Sequence, residues 1–222
     1  MKQFFIRLFN LMFGVFLIAL GVVANIKANI GYAPWEVFHV GLSKTTGISF
    51  GAAALIIGII VIVIVTLLKE KFGLGTILSM ILFSVFVDLI FLVDVMPVAE
   101  HFIVGLAMLI AGAFTISIGT RFYIKSAFGA GPRDNLMVVL TRKTKLPVGV
   151  CRGMVEVVVT LIGWALGGMV GVGTIISALA AGPCIQITFR VFKFDVKAVK
   201  HETLADTFRF LAGKISRGKT NP

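Results

Sequence analysis

Gly73-Leu74-Gly75-Thr76-Ile77 recurs as Gly171-Val172-Gly173-Thr174-Ile175, and each copy opens a long apolar run. The same offset of 98 residues extends in both directions without a gap. It sets Gly14 on Gly112, Gly21 on Gly119, Ile26-Lys27 on Ile124-Lys125, Gly31 on Gly129, Pro34 on Pro132 and Gly51 on Gly149. Over positions 1–94, 25 residues equal their partners. Shared apolar composition explains some identities, but it does not hold glycines, prolines and a Gly-x-Gly-Thr element in register. The chain is an internal duplication.

The repeated runs are apolar enough to cross a membrane. Of 222 residues, 58% are hydrophobic and 14% charged, and mean hydropathy is +1.04. An ordinary soluble domain has about 45–50% apolar and about 25% charged residues. The charges are also bunched: 19 uncharged residues separate Arg7 from Lys27, 24 separate Lys44 from Lys69, and 33 separate Glu156 from Arg190. A spanning helix needs about 20 apolar residues. Period-2 alternation is absent, so helices are expected rather than barrel strands.

The fold class predicted is an all-α polytopic membrane protein of six transmembrane helices, at 4–28, 49–69, 73–92, 102–121, 148–166 and 174–192. Segments 34–45 and 132–143 are too short and polar to span, and each opens with a proline, which suits the first position of a helix. Three spans and one short helix thus fill each unit, 1–94 and 99–192, leaving 193–222 as a basic tail.

Two tandem units with an odd number of spans must insert in opposite orientations, which predicts a 3+3 inverted-topology repeat. Basic residues agree: Lys2, Arg7, Lys69, Lys71, Lys125, Arg133, Arg142, Lys143, Lys145 and the tail fall on one side. The other side holds Lys27, Lys44 and the acidic loop from Asp94 to Glu100. The positive-inside rule then puts both termini in the cytoplasm. Residues 1–28 read as a first span, not a cleavable signal. The net charge of +11 is a matter of membrane orientation, not of nucleic-acid binding. Cys151 and Cys184 form no disulfide framework and read as free thiols.

Gly31-Tyr32-Ala33-Pro34-Trp35-Glu36-Val37-Phe38-His39, Gly47-Ile48-Ser49-Phe50-Gly51, the two Gly-x-Gly-Thr elements and Gly129-Ala130-Gly131-Pro132-Arg133-Asp134 resemble the YczE/YyaS/YitT group of bacterial integral membrane proteins. The resemblance is nearest to the YczE branch and covers roughly residues 5–192. It implies a multi-pass protein of the bacterial inner membrane. It carries over no catalytic residue.

Candidate functional residues fall into four groups. Trp35 and Glu36, with their counterparts Arg133 and Asp134, open the short helices. An acid in the first turn complements the helix dipole. On one reading these helices lie at the interface, with Trp35 in an aromatic belt. On the other they re-enter the membrane, where irregular backbone is tolerated only inside protein or beside water, and their N–H groups favour an anion. Arg152 and Glu156 share a helix face four residues apart, near the bilayer centre, and stand opposite Ala54 and Gly58 in the repeat. They are either a coupling carboxylate and a substrate-gripping arginine, or a self-neutralising structural pair. Asp88 and its counterpart Gln186 are polar groups within spans. Thr76 and Thr174, with Ser79 and Ser177, recur one turn apart and are candidates for bonds across helices or to a ligand.

Enzyme chemistry is not expected. His39, His101 and His201 have no metal spacing, no Walker A, GxSxG or HExxH pattern occurs, and no cofactor is implied. Leu204, Phe208 and Leu211 in the tail suit either an amphipathic helix on an anionic leaflet or a solvated segment. The expected function is a small-solute transporter or channel with a central polar site lined by Asp88, Arg152, Glu156 and Gln186, and the half-helix N-termini favour an anionic or zwitterionic solute. Inverted repeats are a recurring transporter architecture, which is an argument by analogy. The alternative is a membrane scaffold that binds a partner complex. Partners are the lipid bilayer and an unidentified solute, with a homo-oligomer left open.

Overall fold

The computed structural model describes residues 2–70, 73–129 and 131–196. Its helices are α1 (Lys2–Lys27), α2 (Pro34–Thr46), α3 (Phe50–Leu67), α4 (Leu74–Val93), α5 (Phe102–Lys125), α6 (Pro132–Thr144), α7 (Val148–Ala165) and α8 (Val172–Val191). Six of these are long and apolar enough to cross a membrane. The expected spans and short helices are thus all present, each within a few residues of its predicted ends. The expected amphipathic helix in the tail falls beyond Val196, outside the described residues.

The outer surface explains why lipid is the required solvent. Ile59, Ile60, Leu67, Leu92, Ile103, Leu179 and Val191 are all exposed. Water would not tolerate so continuous an apolar surface. Hydrophobicity cannot pull such helices together inside a bilayer, so association depends on close packing and small residues.

The seam between α1 and α5 shows that mechanism. A Cβ on Gly14 would lie 2.7 Å from the Gly119 carbonyl oxygen, and one on Gly21 would lie 2.6 Å from that of Gly112. Toward the end of α1, a Cβ on Gly105 would run into the Ala28 carbonyl. The pairing runs in opposite chain order, so α1 and α5 are antiparallel. Only glycine lets the two backbones come this close.

Charge marks the two ends of the bundle. At one end Lys27 pairs with Asp94 and the Lys44 ammonium donates to the Gly167 carbonyl at 3.2 Å. At the other, Arg7 donates to the Ser126 carbonyl at 2.8 Å and Arg142 pairs with Glu70 at 2.7 Å.

Short helix α2 ends at the Lys27 end, where Lys44 reaches Gly167, and α6 ends at the other, where Arg142 meets Glu70. Gly31 and Gly129, the glycines that precede them, adopt φ of 116° and 128°. Each also abuts backbone, Gly31 against Gly171 and Gly129 against Gly73. A side chain would be strained by the dihedral and blocked by the contact. Next to these contacts, the Gly173 amide donates to the Ile30 carbonyl at 2.7 Å and the Gly75 amide to the Phe128 carbonyl at 2.9 Å. At about 1.5 Å per residue, the 13 residues of α2 and of α6 fall short of a core about 30 Å thick.

Candidate functional site

The first turns of α2 and α6 meet inside the bundle. Proline opens both helices and an acid follows in the first turn, Glu36 in one and Asp134 in the other. From α6, Arg133 reaches across to α2. Its guanidinium lies 3.9 Å from the Glu36 carboxylate, 3.5 Å from Nε2 of His39, and 4.6 Å above the Trp35 ring. Trp35, Glu36 and His39 recur at i, i+1 and i+4, and all three are buried. The arginine thus stacks on an aromatic face while its in-plane donors stay at the edge of hydrogen-bonding range.

Two cavities flank this cluster. The larger, about 250 Å³, is lined by α1, α3, α4 and α5 residues together with Trp35, Glu36, His39, Arg133 and Asp134. The smaller, about 140 Å³, includes Asn25, Ser117, Arg152, Glu156 and Ser177. Trp35, Glu36, Ile116 and Arg133 line both. The Arg133–Glu36 contact therefore stands in the wall between them.

The two linings are also counterparts in the repeat. Ala54, Gly58, Ser79, Met80 and Tyr123 line the larger cavity, and their partners Arg152, Glu156, Ser177, Ala178 and Asn25 line the smaller. The difference is chemical: the first unit presents small and apolar side chains where the second presents an ion pair. Arg152 Nε donates to Glu156 at 2.7 Å across one helical turn.

Of the residues singled out from sequence, Trp35, Glu36, Arg133, Asp134, Arg152 and Glu156 gather around these cavities. Four others do not. The Asp88 carboxylate accepts from Ser49 Oγ at 2.6 Å and from the Gly51 amide at 2.8 Å, which ties α4 to the start of α3. It serves as a cap, because the first amides of a helix lack intrahelical acceptors. Gln186 is exposed on α8 and lines neither cavity. Thr76 and Thr174 accept from the amides of Gly73 and Gly171 at 3.3 and 3.1 Å, closing equivalent N-terminal turns. The expectation that Asp88 and Gln186 line the central site therefore fails: a local helix start claims one, and the other faces outward.

His39, Tyr123 and Asn25 were missed. His39 stands four residues after Trp35, the spacing of one helical face. Tyr123 and Asn25 are each other's repeat counterparts, so two buried polar residues at one register were a readable signal.

Comparison with known proteins places the chain among relatives of similar length. It is 31% identical to the uncharacterized membrane protein YczE of Bacillus subtilis, over 79% of this chain and 81% of that protein. It is 29% identical to an uncharacterized protein of Haemophilus influenzae, covering 82% of each, and 24% identical to the B. subtilis protein YyaS, over 78% of this chain and 88% of that protein. No solved structure matches. The DUF6198 family, described as a family of unknown function, matches residues 5–190. Six apolar helices, a repeat in register and this match over most of its length make the chain a multi-pass membrane protein that belongs to the DUF6198 family.

Proposed function

We propose that the protein is a carrier for a small anionic or zwitterionic solute, built from two inverted repeats with the Arg133–Glu36 pair at the midpoint of the path. The observation that carries this reading is the equivalence of the two cavities. Repeat-related residues line them on either side of one shared wall, as expected of two vestibules exchanged by a two-fold axis in the membrane plane.

The α1–α5 seam supports the inversion. The offset of the repeat turns the Gly14–Gly119 contact into the Gly112–Gly21 contact, so one pairing is the image of the other. The Gly31–Gly171 and Gly129–Gly73 approaches exchange in the same way. On this reading α2 and α6 are half-helices entering from opposite faces. Their backbone is tolerated at depth because protein and cavity surround it. Basic residues assign the Lys27 end to the outside and both termini to the cytoplasm of a bacterial inner membrane.

Carrier, rather than channel, follows from a mismatch between the halves. In the first unit α3 packs tightly on α4: a Cβ on Gly51 would collide with Ser84 and Asp88. The repeat counterparts are Gly149 and Gly182, and neither would meet an atom within 4 Å. One pair of helices is closed while the equivalent pair is splayed. Exchange of these two arrangements between the halves would expose the central pair first to one side and then to the other.

A scaffold, the competing reading, has no need of charged groups beside internal cavities. Intramembrane ionisable groups are costly and mark solute or ion pathways.

The test is uptake into proteoliposomes from a panel of small carboxylates and amino acids. Saturable uptake that is lost in Arg133→Gln is expected. Failure of every solute, together with a Ser177→Cys thiol that water-soluble reagents never reach, would leave the scaffold reading in place.

A further inference from the structure

Within the carrier reading above, we infer that the larger cavity seats a small monocarboxylate with an apolar body, its carboxylate on Arg133 and its hydrocarbon among α1, α3 and α4. A guanidinium has five N–H donors. Those of Arg133 meet Glu36 at 3.9 Å and His39 at 3.5 Å, at or past the outer limit of a hydrogen bond. Trp35 covers the face of the guanidinium and leaves its edge, where the donors lie. The other arginine at these cavities, Arg152, is already held by Glu156 at 2.7 Å. Arg133 is therefore the arginine with donors to spare, and a planar carboxylate is the group that matches its fork.

The rest of the cavity determines what the carboxylate must carry. Val15, Ile18, Val22, Ile57, Val61 and Met80 make most of the walls from α1, α3 and α4, while Ser79, Thr120, Tyr123 and Asp134 add polar groups elsewhere, so the part of the body against those three helices is hydrocarbon. At about 250 Å³ the space is below the range of drug-sized pockets, roughly 300–1,000 Å³, which limits the solute to a short chain or a single ring. An independent sign of a polar occupant comes from His39. It is 2% exposed, lines the same cavity, and its buried Nδ1 has no hydrogen-bond partner.

One consequence concerns protons. A bound carboxylate would share Arg133 with Glu36, which is faced by Arg133 and Asp134 from α6, by Arg152 and Glu156 from α7, and by His39 on its own helix. Two carboxylates cannot both stay ionised on one guanidinium in a low-dielectric cavity. The ligand therefore enters with a proton on Glu36, and affinity rises as pH falls.

The experiment uses the full chain in lipid nanodiscs with Trp164→Phe, which leaves Trp35 as the single tryptophan of the two in the sequence. Hexanoate is expected to change Trp35 fluorescence saturably, more tightly at pH 6 than at pH 8, while hexanamide and hexylamine do not. Arg133→Gln should weaken hexanoate by about tenfold or more. Ala54→Leu, which fills the apolar end, should exclude hexanoate and keep propanoate. No saturable response from thermally stable protein, equal binding of the amide, or full affinity in Arg133→Gln overturns the assignment. Hexanoate binding without uptake would instead remove the carrier reading and keep the seat. Uptake of an amino acid without hexanoate binding would do the reverse.

Discussion

Arg133 and Glu36 face each other at 3.9 Å from the first turns of two short helices, one in each repeat unit. The contact exists because two short helices start close together in space, and so it records how the halves are docked. Glu36 is 5% exposed, and among the described residues its cationic partner is Arg133.

Loss of the arginine should therefore cost more than loss of both partners. Arg133→Ala strands a buried carboxylate, a change that typically costs about 3–5 kcal/mol. Glu36→Gln combined with Arg133→Gln removes both charges and should recover much of that loss. Thermal unfolding in one detergent checks the order, and additive losses would show that the two side chains are uncoupled.

Arg152→Ala should be milder. Glu156, the carboxylate left behind, is 16% exposed and lines the smaller cavity, whereas Glu36 is 7% exposed, so its stranded charge is less deeply buried. A melting temperature lowered less than by Arg133→Ala is the expected result. An equal or greater drop would place the second pair deeper than its exposure suggests.

Glycines on the two sides of the repeat should respond with opposite signs. Gly21→Ala pushes a methyl to 2.6 Å from the Gly112 carbonyl and should destabilise by about 1–3 kcal/mol through overpacking. Gly149→Ala meets nothing within 4 Å and should be neutral, or gain up to about 1 kcal/mol of helix propensity. Denaturation of the two variants side by side distinguishes them.

Asp88→Ala removes the carboxylate that accepts from Ser49 and Gly51. A lost cap of this kind typically costs about 0.5–2 kcal/mol, and Asp88→Asn, which keeps an acceptor oxygen, should lose less. Gln186→Ala, on an exposed face, should change nothing measurable. Faster hydrogen exchange at the start of α3 in Asp88→Ala alone would confirm where the cap acts.

Exchange between the two halves predicts a cross-link that the present arrangement does not favour. With Cys151 and Cys184 replaced, Gly149→Cys and Gly182→Cys should join under oxidation as α7 closes on α8, and the joined protein should be locked. In the same background, cysteines at Lys44 and Lys143 should label from opposite sides of sealed vesicles. Labelling from one side alone would refute the inverted arrangement.

The six spans, both short helices and the repeat were legible in the chain because each is a local property. Hydropathy over a span length, a proline at a helix start and glycines in register need no knowledge of neighbours. Arg152 and Glu156 were legible for the same reason, since one turn of one helix brings them together. Asp88 and Gln186 look alike in sequence, two polar groups at one register. They part company because Asp88 finds the free amides of α3 across a closed interface, whereas the interface available to Gln186 is splayed. The Arg133–Glu36 contact, the orphaned nitrogen of His39 and the two cavities belong to the docking of distant segments. Hydropathy and spacing fix which segments cross and which fall short, but the approach of two helix starts inside the bundle depends on backbone contacts that glycine permits and no local pattern encodes.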